Sequence, residues 1–267
     1  MIIERDGVAL NVKVEGQGAP VVLLHGHTLD LRVWDQVVPP LVGAGYRTIR
    51  YDQRGHGRSS SPPSGYRYGD HVADLAELIN QLDAAPAHLI ALSKGAGIAL
   101  ELALRSPKLA RSLALVAPLV PGFTLSDHLM ESFRTLARAI RTRGVQPALR
   151  ALWLTHPLLA SAAAIPGTRE QLEAMLNTFP AGEYLATERD ALDRTRKVTD
   201  RLGEVAMRTL VLRGDGEIPD FAAMADLVVA TVPGARLQVI AGSGHLVPLE
   251  RPGALAAALA EFLAQPA

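Results

Sequence analysis

Short runs of apolar residues recur along this chain, and each run is continuous rather than alternating with polar residues. Six of them stand out, at 20–26, 46–52, 87–93, 111–118, 208–215 and 235–242. Continuous apolar character is typical of strands covered on both faces, as in a parallel sheet. Helical patterns lie between the runs, so the sequence predicts an α/β fold with right-handed crossovers. Two N-terminal segments, "MIIERDG" and "VALNVKVEG", predict a hairpin that leads into the sheet.

The composition favours one large domain and a small-molecule partner. Of the 267 residues, 48% are hydrophobic and 20% are charged, so the chain can bury a substantial core. Lys and Arg together number 27, as do Asp and Glu, and this balance gives no reason to expect a nucleic-acid or anionic-membrane partner. The absence of cysteine excludes disulfides, thiolate metal sites and a thiol nucleophile.

No segment has the pattern typical of export or membrane insertion. The first residues include Glu4 and lack the apolar core of a signal peptide. No run of about 18 uncharged apolar residues occurs that could span a membrane. We therefore expect a cytoplasmic protein with no membrane partner, although a mature secreted chain also fits a sequence without cysteine.

The stretch from 119 to 205 breaks the alternation of strand and helix. Its pattern is helical without a convincing strand, and prolines punctuate it. A structureless connection of that length is uncommon in a compact domain. The sequence thus predicts a core formed by 1–118 and 206–267, with 119–205 as an inserted helical subdomain. Because ligands of open α/β sheets bind beyond the carboxyl ends of the strands, we expect this insertion to form a lid.

The segment "HLIALSKGAG" ends a predicted strand at Ser93 and continues through glycines into a helical pattern. A sharp strand-to-helix turn at a serine is one way in which hydrolases present a nucleophile. Such a hydroxyl needs a base to take its proton and a third group to orient the base. "GSGHLVPLERP" supplies His245, and "LRGDGEIPD" supplies Asp215, Glu217 and Asp220, each after a predicted strand.

Each of these residues also has a structural interpretation. A serine in an apolar run is usually a hydrogen-bonded core residue, and a lone loop histidine usually has no chemistry. The order serine, acid, histidine favours the catalytic interpretation of Ser93. Structural roles are favoured for His25 and His56, and we expect Asp52 and Arg54 to pair and fix a turn.

Four sequence blocks follow one another along the chain: "LLHGHTLD", "YDQRGHGRSS", "LSKGAGIALELALRSPKLARSLALVAP" and "GSGHLVPLERP". In this order they resemble the α/β-hydrolase family, in its esterase, lactonase and haloperoxidase-like branch. The resemblance covers almost the whole length. It implies a mostly parallel eight-stranded sheet flanked by helices, with an inserted helical lid. Three departures are local: Ala91 replaces the elbow glycine, Lys94 replaces a usually neutral residue, and Glu217 occupies the acid position.

The resemblance implies roles for a catalytic triad. Ser93 would attack a carbonyl carbon, and His245 would take its proton and return it to the leaving group. Counting three residues beyond Gly214 assigns the acid to Glu217, since glutamate is an accepted variant in the triad. Asp215 is the alternative acid.

The same resemblance assigns the oxyanion hole to the backbone N–H groups of Lys94 and His27. The side chain of Lys94 is open to three interpretations. We favour the first, in which its stem packs while its ammonium reaches water. The ammonium can instead attract a substrate carboxylate, or it can pair with Glu217 or Asp215.

Bulky residues near these motifs, together with Lys94, are candidates for a substrate pocket, although packing roles fit them equally well. They are Trp34, Met130, Phe133, Trp153 and Leu246.

The resemblance therefore implies a serine hydrolase that cleaves a small carboxylic ester or lactone through an acyl-enzyme. It implies neither a metal nor an organic cofactor. A C–C bond hydrolase and a perhydrolase would share the same triad. A rival of another class is a ligand-binding protein that keeps the fold without turnover.

Overall fold

One mixed sheet organises the protein. The computed structural model describes residues 1–186 and 197–265. The strands are β1 (Ile2–Arg5), β2 (Val8–Glu15), β3 (Ala19–Leu24), β4 (Tyr46–Tyr51), β5 (Ala87–Leu92), β6 (Ala110–Val116), β7 (Thr209–Gly214) and β8 (Arg236–Ile240). Their order in the sheet is β1-β2-β4-β3-β5-β6-β7-β8. Strand β2 runs antiparallel to both of its neighbours, and all other pairs are parallel. The predicted α/β fold and its N-terminal hairpin are confirmed.

Helices connect the parallel strands. They are α1 (Val38–Gly43), α2 (Tyr68–Gln81), α3 (Lys94–Arg105), α4 (Asp127–Arg143), α5 (Val145–Ala148), α6 (Pro157–Ala163), α7 (Thr168–Asn177), α8 (Gly182–Leu185), α9 (Pro219–Thr231), α10 (Val247–Glu250) and α11 (Pro252–Ala264). Short 3₁₀ turns occur at Leu31–Trp34, Pro107–Leu109 and Val198–Glu204, and a π turn at Leu149–Trp153. None of the described helices combines the length and apolarity needed to cross a bilayer.

The burial pattern explains why the apolar runs form these strands. All six residues of β5 are buried, which is the pattern of a strand covered by helices on both faces. Helix α2 instead buries one stripe, including Val72, Leu75 and Ile79, and leaves its other face toward solvent. The core therefore lies on both faces of the central strands.

The segment between β6 and β7, residues 117–208, is called the insertion below. Every element that the structure describes in it is helical, from α4 to α8 with two short turns, Leu149–Trp153 and Val198–Glu204, beside them. Its two ends join neighbouring parallel strands, with Val116 opposite Leu212 in the sheet. The insertion therefore leaves the sheet at the carboxyl end of β6.

The carboxyl ends of the parallel strands lie at one edge of the sheet, where ligands of α/β folds bind. Strand β3 ends at Leu24, before the segment His25-Gly26-His27. Strand β5 ends immediately before Ser93, and β7 and β8 end before the acid and histidine loops. This topology brings the four sequence blocks to the same edge.

Candidate active site

Ser93 is the single residue between strand β5 and helix α3. Its backbone has φ 53° and ψ −117°, a region that non-glycine residues rarely adopt. The surrounding backbone holds it there: its N–H donates to Val116 O (3.0 Å), and its carbonyl accepts from the N–H of Ala96 (2.9 Å) and of Leu119 (3.1 Å). A strained turn of this kind exposes a side chain at the top of the sheet, as a nucleophile elbow does.

The loop after β3 packs directly against this turn. A Cβ on Gly95 would lie 2.7 Å from His25 O and 2.8 Å from Leu24 O, so only glycine fits there. A Cβ on Gly26 would lie 3.3 Å from the Cβ of Ser93. Ala91, by contrast, lies fully buried within β5, where its methyl group is accommodated. The elbow thus keeps glycine where the backbones meet and tolerates alanine one position before the strand ends.

His245 and Glu217 form a hydrogen bond at the same edge. The distance from His245 Nδ1 to Glu217 Oε2 is 2.9 Å, and the two side chains are 4% and 0% exposed. A carboxylate only accepts hydrogen bonds, so Nδ1 carries the proton and Nε2 of a neutral ring is left to accept another. The ring of Phe221 packs edge-on against the imidazole, with centroids 4.4 Å apart. These contacts fix the orientation of the histidine.

Asp215, the alternative acid, has other partners. It is exposed, and its Oδ1 accepts the N–H groups of Gly242 (2.8 Å) and Ser243 (3.2 Å). The hydrogen bond from Gly242 is the main cause that lowers the pKa of Asp215. Asp215 therefore anchors the loop before His245 and does not contact its ring.

Glu250 is a buried glutamate that binds the backbone of the His245 loop, a role that the sequence analysis did not predict. Glu250 accepts the N–H of Gly244 (2.7 Å) and of Leu246 (3.0 Å), on either side of His245. It also accepts the hydroxyl of Ser161 in the insertion (2.6 Å). Glu250 stands in "LVPLERP", but no residue in that stretch signals that its carboxylate turns back to the loop.

The hydroxyl of Ser93 and the ring of His245 form no hydrogen bond within the described part of the chain. Catalytic hydrogen bonds are often long until a substrate is bound. Both residues are nevertheless buried, at 6% and 4% exposure, beyond the carboxyl ends of the strands. The structure thus shows the hydrogen bond between His245 and Glu217 but none between His245 and Ser93.

The two backbone N–H groups assigned to the oxyanion hole make no hydrogen bond with the described part of the chain. The N–H groups of His27 and Lys94 donate to no group among residues 1–186 and 197–265. Lys94 begins helix α3, where the first N–H groups have no acceptor within the helix. Both groups are therefore available to a substrate oxygen.

The side chain of Lys94 differs from what we expected. Its ammonium lies 2.5 Å from Glu183 Oε2, and the side chain is 9% exposed. The favoured interpretation, an ammonium that reaches water, is wrong, and so is a pair with Glu217 or Asp215. Glu183 lies in α8, 89 residues away, and no local pattern links the two.

His27 shares the carboxylate of Glu183. Its Nδ1 lies 2.8 Å from Glu183 Oε1, and its Nε2 lies 2.6 Å from the hydroxyl of Tyr184. Three further rings lie edge-on to the imidazole within 6.4 Å, those of Phe133, Trp153 and Phe179. The insertion therefore surrounds the side chain of His27 with aromatic rings.

Burial and neighbouring charges set the ionisation of the side chains around Lys94, a cluster that also contains His27, His56 and Glu183. Burial pushes the pKa of Glu183 upward, but Lys94 and His27 outweigh it and hold that pKa well below 4.5. Burial, with Lys94 adding to it, lowers the pKa of His56 well below 6.5. His56 Nδ1 donates to Arg54 O (3.0 Å), which leaves Nε2 as a buried lone pair without a partner among the described residues. At neutral pH, Glu183 is charged and His56 is not.

Potential ligand atoms of His27, His56 and Glu183 lie within 4.8 Å of one another. Imidazole and carboxylate groups are donors that zinc accepts. Both oxygens of Glu183 are already bonded, however, one to Lys94 and one to His27. The positive charge beside this carboxylate therefore comes from the lysine ammonium.

The candidate pocket residues occupy different surroundings. Trp34 is fully buried in the hydrophobic core, and Leu246 is 2% exposed next to His245. Met130 and Phe133 are half-buried on α4. Trp153 donates from Nε1 to Thr28 Oγ1 (2.8 Å), two residues beyond Gly26. Phe133 and Trp153 thus approach the loop after β3, whereas Trp34 packs in the core.

Two cavities lie outside this cluster. One, of about 420 Å³, is bordered by the N-terminus, β2 and the loops around Asp30 and Asp52. The other, of about 260 Å³, lies on the insertion between α4 and the segment that includes Trp153 and His156. Neither is lined by Ser93 or His245.

Arg54 and Asp52 do not pair with each other as expected. Arg54 makes a two-pronged ion pair with Asp74 of α2, with Nε to Oδ2 and Nη2 to Oδ1 both at 2.6 Å. Asp52 instead accepts the N–H groups of Leu31 (2.8 Å) and Arg58 (2.9 Å). The two residues fix the turn separately, one to a helix and one to neighbouring loops.

Comparison with known proteins places these features in a family. Residues 19–252 match the model of a protein family whose description is "alpha/beta hydrolase fold". The chain belongs to the α/β-hydrolase family. This α/β hydrolase is 30% identical to the non-heme chloroperoxidase CPO-A1 of Kitasatospora aureofaciens over 251 residues, 90% of each chain.

Two solved structures are similar over nearly the whole α/β hydrolase. One is Est816, described as an N-acyl homoserine lactone degrading enzyme, with a TM-score of 0.80 and 26% identity, covering 98% of this chain and 100% of that one. The other is a thermophilic esterase from Thermogutta terrifontis, with a TM-score of 0.82 and 26% identity, covering 98% and 96%. These relatives support hydrolase chemistry on small molecules.

Proposed function

We propose that this α/β hydrolase cleaves a small carboxylic ester or lactone, with Ser93 as nucleophile, His245 as base and Glu217 as the triad acid. The hydrogen bond between His245 Nδ1 and Glu217, at 2.9 Å, carries the proposal, because it leaves Nε2 to accept the serine proton. The strained backbone of Ser93 supports it. The esterase and the lactone-degrading enzyme among its relatives favour this substrate class.

The first half of the reaction forms an acyl-enzyme. His245 Nε2 takes the hydroxyl proton as Ser93 Oγ bonds to the carbonyl carbon. The backbone N–H groups of His27 and Lys94 stabilise the negative oxygen, and one such donor is typically worth about 3 kcal/mol. His245 then gives the proton to the leaving oxygen, and the bond between that oxygen and the carbonyl carbon breaks.

The second half releases the acid. His245 takes a proton from water, and the water oxygen attacks the acyl carbon. The bond from that carbon to Ser93 Oγ breaks, and the proton returns to the serine oxygen. Glu217 stays ionised and stabilises the imidazolium in both halves. In a lactone, the leaving oxygen stays attached through the opened ring.

We also propose that the insertion, predicted as a lid over 119–205, covers this site. Its contacts with the active-site loops support this role: Trp153 binds Thr28, and Ser161 binds Glu250 beside the histidine loop. A cover of this kind would exclude water from the carbonyl carbon and strengthen the electrostatic contacts there.

Labelling with a fluorophosphonate tests the nucleophile. We expect covalent label on the wild type, no label on Ser93→Ala, and label retained on the control Ser106→Ala, since Ser106 follows helix α3 at the end opposite to Ser93. His245→Ala should label at least about 100-fold more slowly, because a serine without its base is a weak nucleophile. A folded wild type that does not label would support the ligand-binding alternative instead.

Perhydrolysis is a second candidate because of the chloroperoxidase relative. It would use the same acyl-enzyme, with hydrogen peroxide in place of water in the second half. Comparing peracid formation with ester hydrolysis on one acyl donor separates the two. A peracid rate that exceeds hydrolysis at equal peroxide and ester concentrations would make perhydrolysis the main activity.

A further inference from the structure

The ion pair between Lys94 and Glu183 lies beside the proposed nucleophile. Lys94 directly follows Ser93, and its Nζ lies 2.5 Å from Glu183 Oε2. The side chains are 9% and 19% exposed, so water screens this pair poorly. The pair joins the start of α3 in the core to α8 in the insertion.

The second oxygen of Glu183 is also used. It lies 2.8 Å from Nδ1 of His27, and Nε2 of His27 lies 2.6 Å from the hydroxyl of Tyr184. The carboxylate of Glu183 is thus held between the ammonium of Lys94 and the imidazole of His27.

Two of these side chains belong to residues that adjoin the turn at Ser93, since Lys94 directly follows it and His27 lies in the loop packed against it. A Cβ on Gly26 would come within 3.3 Å of the Cβ of Ser93, and His27 is the next residue. The charge of Lys94 outweighs the desolvation of Glu183 and keeps its carboxylate ionised, as its lowered pKa indicates. A substrate acyl group would therefore meet a neutralised pair rather than a free cation.

We propose that Glu183 determines the substrate class: by neutralising Lys94, it makes the acyl site of the proposed reaction, next to Ser93, accept uncharged acyl groups and reject those that carry a carboxylate. This inference rests on the proposed ester or lactone hydrolysis. A second carboxylate in the pocket would compete with Glu183 for one ammonium, and one of the two anions would stay buried without a cation. An uncharged acyl group leaves the pair intact.

Removing the negative charge tests the idea. In Glu183→Gln the side chain keeps its size and one acceptor oxygen, but the ammonium of Lys94 is no longer neutralised. The preference for a carboxylate-bearing ester over its uncharged analogue should rise by about 10- to 100-fold. In Lys94→Met/Glu183→Gln, where both charges are gone, the preference should return to within about threefold of the wild type.

The substrates are two p-nitrophenyl esters with the same leaving group, mono-p-nitrophenyl adipate and its methyl ester, whose acyl chain is too long to close readily to an anhydride, and the readout is the ratio of their kcat/KM values. Glu173→Gln is the matched control, because Glu173 is a glutamate of the insertion that pairs with Arg169 at the surface. We expect the control to keep the wild-type ratio. An unchanged ratio in Glu183→Gln would overturn the proposal, and so would a raised ratio that persists in the double variant.

A binding experiment separates this inference from the proposed function. In a Ser93→Ala background, calorimetry measures monomethyl succinate against dimethyl succinate, without any turnover. The added Glu183→Gln change should make the anion bind at least about tenfold tighter and leave the diester unchanged. If the wild type hydrolyses no ester but this shift occurs, the proposed reaction is wrong while the charge selection holds. If esters are hydrolysed but no shift occurs, only the charge selection is wrong.

Discussion

Glu217 and Asp215 are two residues apart, yet their surroundings differ so much that their variants should behave differently. Glu217→Gln removes the charge that orients and stabilises His245, so we expect kcat on an aryl ester to fall by about 10³- to 10⁴-fold. Asp215→Asn, the matched change, should lower kcat less than about tenfold, because Asp215 binds only backbone N–H groups. Steady-state kinetics on both variants measure the two losses in kcat. A larger loss in Asp215→Asn than in Glu217→Gln would make Asp215 the acid.

Gly95 is a residue whose missing side chain matters for stability. In Gly95→Ala the new methyl group would meet two backbone carbonyl oxygens at less than 3 Å, and neither can move without disturbing β3. We expect a loss of about 1–3 kcal/mol in the free energy of unfolding. Urea denaturation measures this loss.

Gly43 provides the comparison, because a Cβ there would meet nothing within 4 Å. Gly43 lies at the end of helix α1, so Gly43→Ala should leave stability unchanged or raise it by up to about 1 kcal/mol. Equal losses in the two alanine variants would show that the close approach at Gly95 is not what requires glycine.

Among the contacts between elements, the ion pair of Arg54 with Asp74 ties the turn after β4 to helix α2. Both side chains are nearly inaccessible, at 5% and 1% exposure. Asp74→Ala would leave the guanidinium buried without its main partner, and we expect a loss of about 3–5 kcal/mol in unfolding free energy. The exposed pair of Arg169 with Glu173 is the control, since Glu173→Ala should cost less than about 1 kcal/mol. A loss at Asp74 as small as at Glu173 would contradict this reading of the pair.

The elements that the sequence predicted well are those whose signal is local. Strands β5, β6 and β7 follow from continuous apolar runs, because burial on both faces favours apolar residues at nearly every position. Strand β8 lies at the edge of the sheet, and of its residues only Ile240 is buried. The turn at Ser93 and the loop of His245 follow from short motifs. The pairs of Lys94 with Glu183 and of Arg54 with Asp74 do not, because their partners lie 89 and 20 residues apart and only tertiary packing brings them together.

For the whole molecule, buried histidines make stability depend on pH. Burial is the main cause that lowers the pKa of His25, His56 and His71, and it lowers those of His88 and His156 to about 4. The unfolded chain binds protons at these residues below pH 6.5, whereas the folded chain does not until its lower pKa is reached. Unfolding therefore takes up protons, and stability falls as pH drops from 6.5 toward 4.

Chemical denaturation between pH 7.5 and pH 5 measures this effect. Each histidine with a pKa near 4 should contribute a loss of about 2 kcal/mol at pH 5. The lowered pKa of Glu183 acts in the same direction below pH 4.5. His88→Asn should flatten the dependence by the contribution of one proton, because His88 then no longer titrates. A midpoint that is constant from pH 7.5 to pH 5 would contradict the burial argument.

The insertion starts and ends on adjacent strands, since Val116 of β6 lies opposite Leu212 of β7. Neighbouring strands are about 5 Å apart, so the sheet needs only a short bridge at this point. A different insertion between β6 and β7 can keep the strand order, provided that it also keeps the contacts of Leu119 with the serine turn and of Ser161 with Glu250. If the insertion covers the site as proposed, exchanging this one contiguous stretch would change which molecules reach the serine while the sheet keeps its strand order.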